Sequence, residues 1–253
     1  MLDSGGPGEA ALLIHGAYLS GEQWAGQLRT LGGRWRVLVP DLRGHGGSGS
    51  GGKPYSVRQF AWDMAELLTH LGLRRAHVCG HSLGGMVALQ LTLDFPRLVH
   101  SLTLAETSYG TRSGRREALL TELTRPLLER VPVQQQALLF AQAMSRQTPA
   151  LAPWLRREVA AFAGREEDYR SIWKAVTGFS ARSRLGEIRV PTLVVVGEHH
   201  PRTHPQGRVL ARETGAAEWR IIPRAGHLVN LDQPDLFSEA LADFWTRTSA
   251  PLQ

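Results

Sequence analysis

One cysteine, Cys79, is all the chain has, which excludes an internal disulfide framework. It lies in the apolar run Ala76-His77-Val78-Cys79, where a buried, unreactive thiol is expected and a reducing, cytoplasmic setting fits. Long hydrophobic runs are missing too. No stretch approaches the ~20 apolar residues that a membrane-spanning helix needs, and the N-terminus has no basic segment followed by an apolar one, so no signal peptide is expected. Dense charge is also scarce. The net charge of +6 comes mostly from arginines spread thinly along the chain. A nucleic-acid surface would want a basic stripe with interleaved aromatics, so a solvated helical surface is the reading here. There is no internal repeat and no long low-complexity segment.

What is present is ordinary globular material, 253 residues with 42% apolar and 21% charged side chains, enough to bury a sizeable core. Short apolar runs rich in β-branched residues recur at Ala11–Ile14, Arg36–Val39, Ala76–Cys79, Ser101–Ala105, Thr192–Val196 and Trp219–Ile222. Such runs suit strands buried on both faces. Helical patterns lie between several of them. Val57, Phe60, Ala61, Met64, Leu68 and Leu71 form one apolar stripe, with Ser56 and Gln59 reading as a capping box at its start. Leu236, Phe237, Ala240, Leu241, Phe244 and Trp245 form another, with Pro234 suited to its first turn. The alternation predicts a mostly parallel α/β sheet covered by helices on both sides. It stops between about residues 107 and 179, where Glu117–Arg130, Val133–Arg146, Ala152–Ala163 and Glu166–Thr177 read as helices and no strand is expected. The division is a core of residues 1–106 and 180–253 carrying a helical cap of residues 107–179.

The chemistry centres on Gly80-His81-Ser82-Leu83-Gly84, which follows one predicted strand and opens a helix. This is G-x-S-x-G in the setting of a nucleophile elbow. A sharp strand-to-helix turn lifts the serine oxygen above the sheet edge, and glycines two residues either side have no Cβ to clash there. The first turn of the helix offers free N–H groups and a positive dipole end to a developing oxyanion.

With these residues the sequence resembles the α/β-hydrolase family, in particular its small capped esterase, lactonase and haloperoxidase-like members. Four landmarks carry the resemblance in the family's order: His15-Gly16, Asp41-Leu42-Arg43-Gly44-His45-Gly46, the elbow at Ser82, and Gly226-His227. It covers nearly the whole chain apart from the cap interior. It implies that Ser82 is the nucleophile and His227 its general base. It implies oxyanion donors at the backbone N–H groups of Leu83 and Ala17. His15, Asp41, Arg43 and His45 read as scaffold residues, and Tyr18 and His81 as possible substrate contacts. The family usually has two further strands ahead of His-Gly; about ten residues precede it here, so the sheet is expected to be trimmed at that edge.

The third triad member departs from the pattern. Where the family has Gly-x-x-Asp after the strand before the last, the chain reads Gly197-Glu198-His199-His200, and an imidazole at His200 cannot support an imidazolium as a carboxylate does. Three explanations stand. Glu106, at the end of the strand Ser101–Ala105, supplies the acid as some relatives do. Alternatively Glu198 reaches over, or no acid acts. Glu106 is the expectation taken forward. His199, His200 and His204 do not make a metal site, because no cysteine or carboxylate set completes a tetrahedron with them beyond Glu198.

The function expected is a serine hydrolase cleaving a carboxylic ester or lactone of a medium-sized, largely apolar molecule through an acyl-enzyme on Ser82. It needs no metal or organic cofactor and no nucleic-acid or membrane partner. The alternative, prompted by His200, is a non-hydrolytic member of the same fold: a ligand-binding sensor, or a cofactor-free lyase or cyclase.

Overall fold

The computed structural model describes residues 1–110, 131–215 and 217–249. Seven strands form one sheet in the order β1-β3-β2-β4-β5-β6-β7. They are β1 (Leu2–Asp3), β2 (Ala10–Ile14), β3 (Arg36–Val39), β4 (Ala76–His81), β5 (Val99–Ala105), β6 (Thr192–Gly197) and β7 (Ala217–Ile222). All neighbours pair in parallel except β1, which runs antiparallel to β3. The six expected strands are present. The edge expected to be trimmed carries one two-residue strand, too short for an alternating pattern to reveal.

Alternate strand residues feed two separate cores, as a period of two requires. On one face Leu12, Ile14, Leu38, Val78, Leu102, Leu104 and Val194 pack with α2 (Val57–His70) and α3 (Leu83–Asp94). On the other, Ala11, Leu13, Val37, Val39, Cys79, Leu193 and Val195 pack with α1 (Ala25–Leu31) and with Phe237, Leu241, Phe244 and Trp245 of a C-terminal helix, Pro234–Thr248. Leu12, Leu102 and Leu104 are fully buried, so truncating any of them to Ala costs about 2–5 kcal/mol. The Cys79 thiol sits wholly inside, and burial pushes its pKa well up, which keeps it protonated and inert.

The cap on α2 is half of the box expected. Ser56 Oγ accepts the N–H of Gln59 at 3.1 Å, but the Gln59 side chain donates to the Gly52 carbonyl instead of turning back. Between β5 and β6 lie α4 (Val133–Met144), α5 (Ala152–Ala160) and α6 (Glu166–Gly178). The helix expected over Glu117–Arg130 falls outside the described residues. A bridge between Gly110 and Ser180 and a bond from Ala181 N–H to the Tyr109 carbonyl close the neck of this insertion. Asp168 of α6 clamps it to the core. Its buried carboxylate accepts from Ser50 Oγ, Tyr55 Oη, Lys53 Nζ and Arg165 Nε. The chain ends with α7 (His204–Glu213), α8 (Val229–Asp232) and α9 (Pro234–Thr248).

Because β2 to β7 are parallel, the loops that follow them leave from one edge of the sheet. Ala17, Ser82, Glu106, His200 and His227 all lie on loops or turns at that carboxyl edge, the side on which open α/β sheets bind ligands.

Candidate active site

Ser82 occupies the corner between β4 and α3 with φ 51° and ψ −114°, a region that costs a non-glycine residue on the order of 1–3 kcal/mol. Its N–H is held by the Ala105 carbonyl at 3.0 Å, and Thr107 Oγ donates to its carbonyl at 2.6 Å. The flanking glycines are sterically required. A Cβ on Gly80 would lie 2.1 Å from the Gly84 carbonyl oxygen, and one on Gly84 would lie 2.1 Å from that of Ile14. The second contact also seats the start of α3 against the loop after β2. The N–H groups of Leu83 and Ala17 thus belong to two segments in van der Waals contact.

The loop after β2 is fixed by its histidine. His15 Nε2 accepts the Leu42 N–H at 3.0 Å, so Nδ1 carries the proton and donates to the Gly16 carbonyl at 2.8 Å. Burial lowers the pKa of His15 and keeps this neutral form. Asp41 binds the N–H groups of Gly21 and Gly47, Arg43 pairs with Asp63, and His45 lies against the Arg43 carbonyl. All four serve loop geometry. Tyr18 has φ 64° and stacks on Tyr169 of α6 at 4.1 Å between ring centroids, with Phe162 and Phe140 edge-on. It is buried against the insertion.

His227 and Glu106 meet. Glu106 follows β5 with φ 48° and its side chain is fully buried. Oε1 accepts the Gly197 N–H at 2.5 Å. Oε2 accepts His200 Nδ1–H at 2.7 Å and Thr203 Oγ–H at 2.8 Å, and lies 3.5 Å from His227 Nδ1. Burial pushes the Glu106 carboxyl up, but its polar contacts with His200 and His227 outweigh that and bring the pKa to about 2. An ionised carboxylate only accepts, so it favours the His227 tautomer protonated at Nδ1, with Nε2 bare. Among the described residues no hydrogen bond joins Ser82 Oγ to His227; such bonds are often long in unliganded sites and tighten around substrate.

Of the carboxylates weighed from sequence, Glu106 is beside His227 and Glu198 is not. Glu198 is half exposed and accepts the Arg224 N–H at 2.9 Å. The histidines after β6 also separate. His200 joins Glu106 and His227, whereas His204 lies against the Gly197 carbonyl and His199 is turned to solvent beside Glu198. His81 is buried under the site, its Nε2–H donating to the His227 carbonyl at 2.7 Å. Burial and the neighbouring His227 push its pKa down to about 3, so it stays neutral. Sequence reasoning missed Thr203 and Asp232. Thr203 carries no motif. Asp232 holds the His227 loop through the Gly226 N–H at 2.8 Å, and accepts Thr148 Oγ–H from the insertion at 2.7 Å; only its place five residues after His227 could have marked it.

A profile of the α/β-hydrolase fold matches residues 11–234. The chain belongs to the α/β-hydrolase family. A protein of Variovorax paradoxus, named as a putative carbamate hydrolase, is 33% identical over 256 residues, covering 96% of this chain and 94% of its own. The 3-oxoadipate enol-lactonase 2 of Acinetobacter baylyi is 27% identical over 221 residues, 86% of this chain and 81% of the enzyme. The crystal structure of the enol-lactonase from Burkholderia xenovorans superimposes with a TM-score of 0.76 at 26% identity, covering 95% of this chain and 92% of that one. This α/β hydrolase thus sits among hydrolases by sequence as well as by fold. No helix among its described residues is long and apolar enough to cross a membrane.

Proposed function

We propose that this α/β hydrolase cleaves a carboxylic ester or lactone of a medium-sized, mainly apolar molecule through an acyl-enzyme on Ser82. Ser82 Oγ attacks the carbonyl carbon while His227 Nε2 takes its proton. The N–H groups of Leu83 and Ala17 hold the oxyanion, and Glu106 stabilises the imidazolium formed at His227. Collapse of the tetrahedral intermediate breaks the ester C–O bond, and His227 returns its proton to the leaving alkoxide. Water, deprotonated by His227, then releases the acid and regenerates Ser82. The helical insertion acts as the cap, and the lactonases among the relatives support the substrate class.

The observation that carries the reading is the buried, ionised Glu106 carboxylate beside His227 Nδ1 at the end of the sheet where Ser82 is strained upward. The test is turnover of a short p-nitrophenyl ester and of an aliphatic lactone, with Ser82→Ala as the control. Hydrolysis abolished in Ser82→Ala, with a burst of p-nitrophenol in the parent, is the expected result. Turnover that survives Ser82→Ala removes the acyl-enzyme. A second reading, a ligand-binding relative, draws on His200 standing nearer the carboxylate than His227 does; it is the reading left if neither substrate turns over.

A further inference from the structure

At the sheet edge opposite Ser82, two histidines and a glutamate converge. Glu9 precedes β2, His77 is the second residue of β4 and His100 the second of β5. These strands are adjacent and parallel, so their starts lie side by side. One donor atom from each of the three lies within 4.8 Å of the other two. His77 Nε2 is 3.3 Å from Glu9 Oε2, and His100 Nδ1 is 3.6 Å from Glu9 Oε1. Both imidazoles are buried, while the Glu9 side chain, 38% exposed, opens the group to solvent.

The far side of each ring is already held. His100 Nε2 donates to the Thr248 carbonyl, on the last residue of α9, at 2.7 Å. A carbonyl only accepts, so this nitrogen carries the proton and the neutral ring leaves Nδ1 bare. That bare nitrogen is buried without a hydrogen-bond partner and faces a carboxylate oxygen. Two acceptors aimed at each other need a positive particle between them. His77 Nδ1 lies 2.8 Å from Ser101 Oγ, which fixes the second ring. Histidines that bind metals have their other nitrogen anchored in this way.

We propose that Glu9, His77 and His100 form a structural site for a borderline-soft divalent cation, Zn²⁺ before others. Two imidazole nitrogens and one carboxylate oxygen suit Zn²⁺ and not the all-oxygen preference of Ca²⁺ or Mg²⁺. Donors in a tetrahedron built on bonds of about 2.0–2.1 Å stand about 3.4 Å apart; Glu9 presents a different oxygen to each ring, Oε2 at 3.3 Å from His77 Nε2 and Oε1 at 3.6 Å from His100 Nδ1, so each carboxylate–imidazole separation is near that value. Ser249 Oγ donates to Glu9 Oε2 at 2.5 Å and orients the carboxylate, and a water fills the fourth position. The cation ties the starts of three strands to the C-terminal end of α9, far from the chemistry at the other edge. Positions 9, 77 and 100 form no sequence motif, so spacing alone does not reveal them.

The test uses the full chain stripped with a chelator. It is titrated with Zn²⁺ by calorimetry and with Co²⁺ by visible absorption, and its melting temperature is followed with and without Zn²⁺. One equivalent should bind, a tetrahedral Co²⁺ spectrum should appear, and Zn²⁺ should raise the melting temperature. Glu9→Gln, at a partly exposed position outside the core, and His100→Gln should each weaken binding by a factor on the order of a hundred, at least what losing a supporting partner costs a metal site. His227→Ala should leave binding unchanged. No binding, binding indifferent to both Glu9→Gln and His100→Gln, or binding lost in His227→Ala overturns the site, and a proton on His100 then fills the gap.

Discussion

Replacing Glu106 by Gln keeps size and shape and removes one charge. The neighbours fix which way the amide turns: Oε1 already accepts the Gly197 N–H at 2.5 Å, so the carbonyl end of the amide stays there and the NH₂ takes the place of Oε2. That NH₂ would confront His200 Nδ1, Thr203 Oγ and His227 Nδ1, all of which face an acceptor in the parent. His227 relieves the clash by moving its proton to Nε2, the nitrogen that must be bare to accept from Ser82. Serine proteases with the equivalent change lose about 10⁴ in kcat, which corresponds to about 5.5 kcal/mol of transition-state stabilisation. For this enzyme a drop of at least a hundredfold in kcat is expected, with KM changed little because Glu106 is buried away from substrate. Steady-state turnover of a p-nitrophenyl ester measures it, with circular dichroism to show that the variant folds. A folded Glu106→Gln enzyme with kcat within tenfold of the parent refutes the assignment.

The same carboxylate makes stability depend on acid. Its folded pKa of about 2 lies below the ordinary 4.5, so its ionised form stabilises the fold above pH 4.5 and that contribution, about 3 kcal/mol, is lost as pH falls from 4.5 toward 2; urea midpoints of parent and Glu106→Gln should converge over that window. Ser82→Gly removes a side chain from a left-handed position and should raise stability by about 1 kcal/mol while abolishing turnover, read from denaturant midpoints. Gly84→Ala drives a Cβ to 2.1 Å from the Ile14 carbonyl and should cost about 3 kcal/mol or more, seen as a lower melting temperature and lost activity. Asp168→Ala breaks the clamp between α6 and the loop around Ser50 to Tyr55 and should cost about 3 kcal/mol in urea unfolding.

Much of this architecture was legible from pattern alone. Strands buried on both faces read as continuous apolar runs, and the glycines around Ser82 marked a corner that only they allow. Glu106 was readable as a candidate because it ends the strand Ser101–Ala105, the place where some members of the resembled family carry their acid. What stayed hidden depends on distances between residues far apart in sequence. Thr203 sharing a carboxylate with His200, His81 holding the His227 carbonyl, and Glu9 meeting His77 and His100 leave no trace in local spacing. β1 is too short to show a period, and the side chain of Gln59 chose the Gly52 carbonyl over the helix start because the loop before α2 folds back beside it.

β5 and β6 are neighbours whose carboxyl ends finish side by side, with the Glu106 N–H bonded to the Val195 carbonyl. A carboxyl group rooted on either strand can therefore end up under the same imidazole. A genome survey that grades such chains as live or dead by the residue after β6 would discard this one for its His200, while the negative charge waits one strand over.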